Sequence, residues 1–199
     1  MDADWHVVSG FPEALRSQAA TLYFEAFAGK IGGVLGRDGR GERFVASVMD
    51  PGFALSAVSG DGSQLLGVAG FKTVKGSLVG GELTDLAAVY GWFGALWRAL
   101  AISPLERQPT EGQLLMDGIA VAPWARGRGV GAALLDAVCQ EARRRGLGAV
   151  RLDVIDTNPR AMALYLRKGF VAEAVESTGP LRHLFGFASA TRMVREVAR

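Results

Sequence analysis

The chain has 199 residues, with 22 Lys and Arg against 20 Asp and Glu, a formal net charge of +2, and 49% of it is apolar. That length fits one domain over 1–199 with a sizeable core, the apolar fraction excludes a disordered chain, and the balanced charge argues against a nucleic-acid partner. A single cysteine excludes an internal disulfide framework, and with only His6 and His183 there is no Cys/His cluster at metal-ligand spacing, so no metal is expected.

Trp5 to Val8 reads as a short strand. Pro12 marks a helix start, and Leu15, Ala19, Leu22 and Ala26 recur at helical spacing, so 12–27 is an amphipathic helix. The glycines at 29, 32, 33, 36, 39 and 41 read as a loop, followed by a short helix over 42–49 and a turn at Asp50-Pro51-Gly52. Strands at 53–59 and 64–72 flank Gly60-Asp61-Gly62, a hairpin pattern. Residues 76–112 break this rhythm with one apolar helix, roughly 82–102, and read as a helical insertion. That helix is long enough to suggest a membrane span, but Asp85 and Arg98 sit inside it and Gly91 and Gly94 interrupt it, so no span is expected.

Leu114 to Val121 is a strand. Gly129 to Arg145 is a helix with Val130, Leu134, Leu135, Val138 and Ala142 on one face and Gly146 as its C-terminal cap. A buried strand at 150–154, a short helix at 160–168 ended by Gly169, and strands at 170–175 and 188–197 complete a mixed α/β (α+β) layer architecture. The acidic start, Met1 to Trp5, lacks the basic residues and apolar run of a signal peptide, so the expected compartment is the cytoplasm.

The chemistry concentrates in Val121-Ala-Pro-Trp-Ala-Arg126-Gly127-Arg128-Gly129-Val130-Gly131, which joins a strand to a helix N-terminus. There the first backbone N–H groups lack intrahelical partners and the helix dipole is positive. Glycines let an anion approach the backbone, and Arg126 and Arg128 add charge; together they suit a pyrophosphate cradle. A plain tight strand-to-helix turn would also use glycine. Gly127-x-Gly129-x-x-Ala132 formally fits the relaxed dinucleotide fingerprint, with Asp153 as the later acid, but Asp153 lies further on than the usual spacing. No Gly-Lys-Ser/Thr follows, which excludes a Walker loop.

Val121-x-Pro-x-x-Arg126-Gly-x-Gly129-x-Gly131 with the helix after it resembles the acetyl-CoA motif of the GNAT N-acetyltransferase superfamily, Gln/Arg-x-x-Gly-x-Gly/Ala. Downstream, Asn158-x-x-Ala161-x-x-x-Tyr165-x-x-x-Gly169-Phe170 is similar to that family's second segment. The resemblance implies a mixed central sheet flanked by helices, with two central parallel strands, 114–121 and 150–154, that splay around the pantetheine arm of acetyl-CoA. The insertion departs from the common pattern.

By the same resemblance, backbone groups of Ile119 and Val121 pair with the arm. Backbone amides of Arg126, Gly127, Arg128, Gly129, Val130 and Gly131 hold the pyrophosphate, and Asn158 bonds the arm. Arg160, Arg167 and Lys168 either meet the 3′-phosphate or form a solvated face. The implied reaction moves an acetyl group to an amine. A proton must leave an amine whose pKa is about 10.4, and the oxyanion needs a donor, expected at a strand-edge N–H near Ile119 or Ala120. Tyr165, an un-ionised phenol, fits as the proton donor to the departing thiolate, or is simply a core aromatic. Asp117 is a candidate base or a polar residue at a bulge before Gly118. Tyr23 and Glu25, late in the first helix, are candidate acceptor-site residues. His183 sits in an apolar stretch and reads as packing, and Cys139 as an inert packed thiol.

Tyr90, Trp92, Phe93, Leu96, Trp97, Leu100 and Ile102 crowd the insertion. It packs on the core, or on a partner subunit as in a homodimer, or it forms an apolar lid over the acceptor groove, with 181–187 adding to that wall. A catalytically silent acyl-CoA-binding module and a dinucleotide-binding enzyme are the alternative functions. The glycine run at 29–41 is expected to be a mobile loop by the acceptor entrance.

Overall fold

In chain order the elements are β1 (Trp5–Ser9), α1 (Arg16–Leu35), α2 (Arg40–Val48), β2 (Ala54–Ser59), β3 (Leu65–Thr73), β4 (Gly76–Ser77), α3 (Leu83–Ile102), β5 (Gln113–Val121), α4 (Val130–Arg144), β6 (Ala149–Ile155), α5 (Pro159–Arg167), β7 (Val171–Ser177) and β8 (Ser189–Glu196). The computed structural model describes residues 4–36, 38–103, 108–179 and 186–197, with backbone only at 28–31 and 102. The strands form one sheet in the order β1-β2-β3-β5-β6-β8-β7, with β4 paired to β3 off that path. Only β5 and β6 run parallel among the described pairs. A dinucleotide-binding sheet, which is mostly parallel, is therefore not what forms.

The apolar stripe of α4 buries Val130, Leu134, Leu135, Val138 and Ala142 to 1% exposure or less, which fixes the helix across β3 and β5. Each such aliphatic side chain larger than alanine contributes about 1.5–3 kcal/mol. On the other side lie α1, α2 and α3.

The glycine-rich segment departs from expectation. α1 continues through Gly29, Gly32 and Gly33 to Leu35, so half of the expected loop is helix. Val34 and Leu35 are 5% and 2% exposed, and burying them outweighs the weak helix propensity of the glycines. The turn that remains ends at Gly41 inside α2. There the Phe24 ring lies so close that a Cβ would come within 2.5 Å of it, so glycine lets the two helices meet.

The insertion begins with a short hairpin return, β4, and then α3. A capping box holds its start: Glu82 accepts from the backbone of Asp85, and Asp85 accepts from the Glu82 N–H. Gly91, at φ 69° and ψ 165°, kinks the helix. The first half packs inward through Leu86, and the Tyr90 hydroxyl donates to the Leu35 carbonyl at 2.7 Å. The second half buries Ala95 but leaves Trp92, Phe93, Leu96, Trp97 and Leu100 47–95% exposed. Among the described residues no helix is long and apolar enough to cross a membrane.

Candidate active site

β5 and β6 pair from Gln113 and Ala149 up to Met116 and Leu152, and no further. Asp117 and Asp153 are thus the first residues past the last rung, one on each side of an opening. A bulge helps to open it: the pairing with β3 jumps from Met116 to Gly118, which leaves Asp117 as the extra residue. Phe27 of α1 covers the spot, and a Cβ on Gly118 would lie 2.4 Å from its ring.

The strand edge facing the opening follows from one hydrogen bond. The Ala122 N–H donates to the Leu66 carbonyl of β3 at 2.9 Å. Backbone groups alternate in an antiparallel ladder, so Ala120 also turns to β3, while Ile119 and Val121 face the gap. Of the two strand-edge donors expected for the oxyanion, Ile119 is placed toward the opening and Ala120 away from it.

At the far end of β5 lies the cradle. Gly127 and Gly129 have φ of 78° and 81°, which side chains other than glycine rarely adopt, and a Cβ at either would meet nothing within 4 Å. The first bond of α4 runs from the Ala133 N–H to the Gly129 carbonyl at 3.0 Å. The N–H groups of Val130, Gly131 and Ala132 therefore have no intrahelical partner. Arg126 and Arg128 are exposed beside them, and Arg126 Nε donates to the Val121 carbonyl at 3.2 Å. The geometry, like the sequence, suits an anion.

Two cavities meet at the opening. The smaller, about 240 Å³, is lined by Gly118, Ile119, Asn158, Ala161, Tyr165 and others. Tyr165 is 7% exposed, and burial pushes its phenol up to about 12. Asn158 caps α5, accepting from the Ala161 N–H at 3.2 Å with its side-chain oxygen. The larger cavity, about 490 Å³, extends under α1, α2 and α3. Tyr23 lines it, 4.4 Å from the Phe27 ring centroid, with its hydroxyl held well above the usual phenol range by burial and the Asp117 charge.

The other expected residues lie apart from these cavities. Glu25 is exposed on α1 and lines neither. Arg160 and Arg167 are exposed on α5, while Lys168 pairs with Asp136 at 2.5 Å. Cys139 is buried, with its thiol pushed up by desolvation. His183 lies outside the described residues, but Phe187 lines the larger cavity. The insertion contributes Leu83, Leu86 and Ala99 to the same wall. Among the described residues no group of acids, His and Cys could hold a metal ion.

The sequence profile of the acetyltransferase (GNAT) family matches residues 50–170. The chain belongs to the GNAT acetyltransferase family. The matched span runs from the turn before β2 to Phe170, so it takes in the opening, the cradle, Asn158 and Tyr165; α1, with Tyr23 and Phe27, lies outside it. Solved structures agree on the fold. A GCN5-related N-acetyltransferase from Kribbella flavida is 21% identical, with a TM-score of 0.63 and coverage of 97% of this chain and 98% of that one. An Ard1 protein from Thermoplasma volcanium is 16% identical, with a TM-score of 0.62 and coverage of 99% and 100%. A putative acetyltransferase from Salmonella typhimurium, solved with its cofactor acetyl-CoA, is 16% identical, with a TM-score of 0.57 and coverage of 99% and 96%. No curated protein matches the sequence significantly.

Asp153 is the residue that sequence reasoning placed only in the dinucleotide pattern. It is a half-buried acid on β6, level with Asp117 on the parallel neighbour, and that level follows from the pairing register rather than from local sequence.

Proposed function

We propose that this GNAT enzyme transfers an acetyl group from acetyl-CoA to an amine by direct attack on the thioester. The observation that carries the reading is the parting of β5 and β6, with the N–H cradle at one end and Tyr165 and Asp117 at the other. Acetyl-CoA supplies the activated acyl carbon. The N–H groups at the start of α4, with Arg126 and Arg128, receive its pyrophosphate. The outward edge of Ile119 and Val121 takes the pantetheine amides as an added strand would be taken, and the Asn158 amide bonds the same arm. Arg160 and Arg167 are the cations of α5 available to a 3′-phosphate.

The residues then divide the proton traffic. The Asp117 carboxylate, at the opening, accepts the proton that the ammonium must lose before its nitrogen can attack. The Ile119 N–H donates to the carbonyl oxygen as that oxygen gains charge. The Tyr165 hydroxyl donates to the sulfur as the C–S bond breaks. Overall the ammonium nitrogen loses two protons, one through Asp117 to solvent before attack and one as the amide forms, while the released thiol gains one. Thermal shifts with acetyl-CoA, NAD and NADP test the ligand class, and an amine panel monitored for free thiol tests the reaction. Stabilisation by acetyl-CoA with amine-dependent thiol release is expected. Stabilisation without turnover on any amine would leave an acyl-CoA-binding module, and stabilisation by NAD alone would remove the reading.

A further inference from the structure

The two cavities share four lining residues: Phe27, Asp117, Asp153 and Ile155. The smaller contains the proposed thioester end, with Tyr165 and Asn158. The larger leads away from it and must hold whatever attacks. Its walls are mostly apolar: Phe44 and Leu35 from the helical layer, Leu83 and Leu86 from the insertion, Leu115 from the sheet. Its described acids are Asp117 and Asp153, both at the junction, and its described cation is Lys72, which pairs across β3 and β5 with Leu115, below the opening. Asp153 also lies 3.7 Å from Arg151 and 3.9 Å from Arg192, with Arg192 itself paired to Glu176.

This arrangement is one-ended. Both carboxylates stand where an attacking nitrogen has to be, and most of the remaining lining is apolar, with Tyr23, Lys72, Ser77 and Ser103 as its other polar members. A cavity of about 490 Å³ lies in the range that holds small organic molecules rather than a folded partner. A second ammonium deep in such a wall would lose its hydration without a carboxylate to pair with, which disfavours polyamines. We infer that the acceptor is a small primary monoamine with an apolar body, an alkylamine or arylalkylamine, whose ammonium docks between Asp117 and Asp153 while the insertion helix walls its tail. The inference rests on the acetyl-transfer reading above and narrows its acceptor.

A homologous series from butylamine to octylamine, with phenethylamine, phenylalanine and spermidine, tests it with acetyl-CoA as donor. Each added methylene buried in the cavity is expected to raise kcat/KM about three- to fourfold until the space is filled. Phenethylamine is expected to exceed spermidine and phenylalanine at least tenfold. Leu83→Ser, at a partly exposed position, should flatten the methylene slope. Asp153→Asn should raise KM for the amine at least tenfold and leave the thermal shift given by acetyl-CoA unchanged. Octylamine should also stabilise the CoA-bound protein more than spermidine does. A flat series, or a preference for spermidine or phenylalanine, would overturn the apolar-acceptor inference while leaving acetyl transfer standing. Absence of any acetyl-CoA shift would overturn the acetyl-transfer reading itself.

Discussion

Replacing Tyr165 by Phe removes one hydroxyl from a ring that stays buried against Phe170, with centroids 5.9 Å apart. Among the described residues no hydrogen bond is made by that hydroxyl, so the fold should be nearly unaffected. The catalytic cost can be worked out. Burial holds the phenol at about 12, whereas a thiol ionises near 8.5. Full proton transfer to the thiolate is then uphill by about 3.5 units, or about 5 kcal/mol. Tyr165 therefore acts chiefly as a hydrogen-bond donor to the sulfur as charge builds, and its proton moves late. Hydrogen bonds to charged groups contribute about 1.5–3 kcal/mol. The Phe variant should lose roughly 10- to 150-fold in kcat, with acetyl-CoA affinity within twofold of the parent. Steady-state thiol release over a range of acetyl-CoA concentrations, beside a thermal-shift titration, reads both quantities. A kcat loss under threefold would show that the sulfur is served by another donor. A loss carried wholly by weaker acetyl-CoA binding would make Tyr165 a packing residue.

Gly129→Ala places a methyl group at φ 81° in the open space of the cradle; it should cost about 1–2 kcal/mol of stability and weaken acetyl-CoA binding more than tenfold, and retained affinity by calorimetry would contradict the cradle. Glu141, 6% exposed, holds Arg144 and Arg145, and these partners keep its carboxyl below the usual range. The stability from that depression is present above the unfolded pKa of about 4.3 and is lost as pH falls through the lower folded value; Glu141→Gln should abolish this part of the acid unfolding curve and lower the melting temperature. Tyr165 titrates at about 12 when folded against about 10 unfolded. Its contribution is complete below about pH 10 and falls by about 2.7 kcal/mol as pH rises through about 12, so denaturant midpoints should drop over that window, less steeply in Tyr165→Phe.

The elements that carry the proposed cofactor site were legible because each rests on local chemistry. The cradle is a helix N-terminus with glycines, the α4 stripe has a 3.6-residue period, and Asn158 is a cap whose role follows from Pro159 after it. What the sequence concealed depends on partners distant in the chain. The helix through Gly29, Gly32 and Gly33 exists because Val34 and Leu35 find a buried place, which composition cannot show. Gly41 looked like another loop glycine, but it is the contact that lets Phe24 cross from α1. The insertion read as core helix, partner surface or lid; the kink at Gly91 divides it into a first half packed inward through Leu86 and a second half that buries Ala95 and brings Ala99 to the larger cavity while Trp92, Phe93, Leu96, Trp97 and Leu100 stay exposed. Asp153 became visible only when the parallel ladder was seen to stop one residue before it.

The central claim is that the opening between β5 and β6 is where an acetyl group passes from a thioester to an amine. Incubating the protein with acetyl-CoA and octylamine, then measuring free thiol and N-acetyloctylamine in the same sample, tests it most directly. Equal amounts of the two are expected, rising with time and falling together in Tyr165→Phe. Thiol without the amide, or neither product from octylamine or from any other amine of the series although acetyl-CoA stabilises the fold, would contradict it.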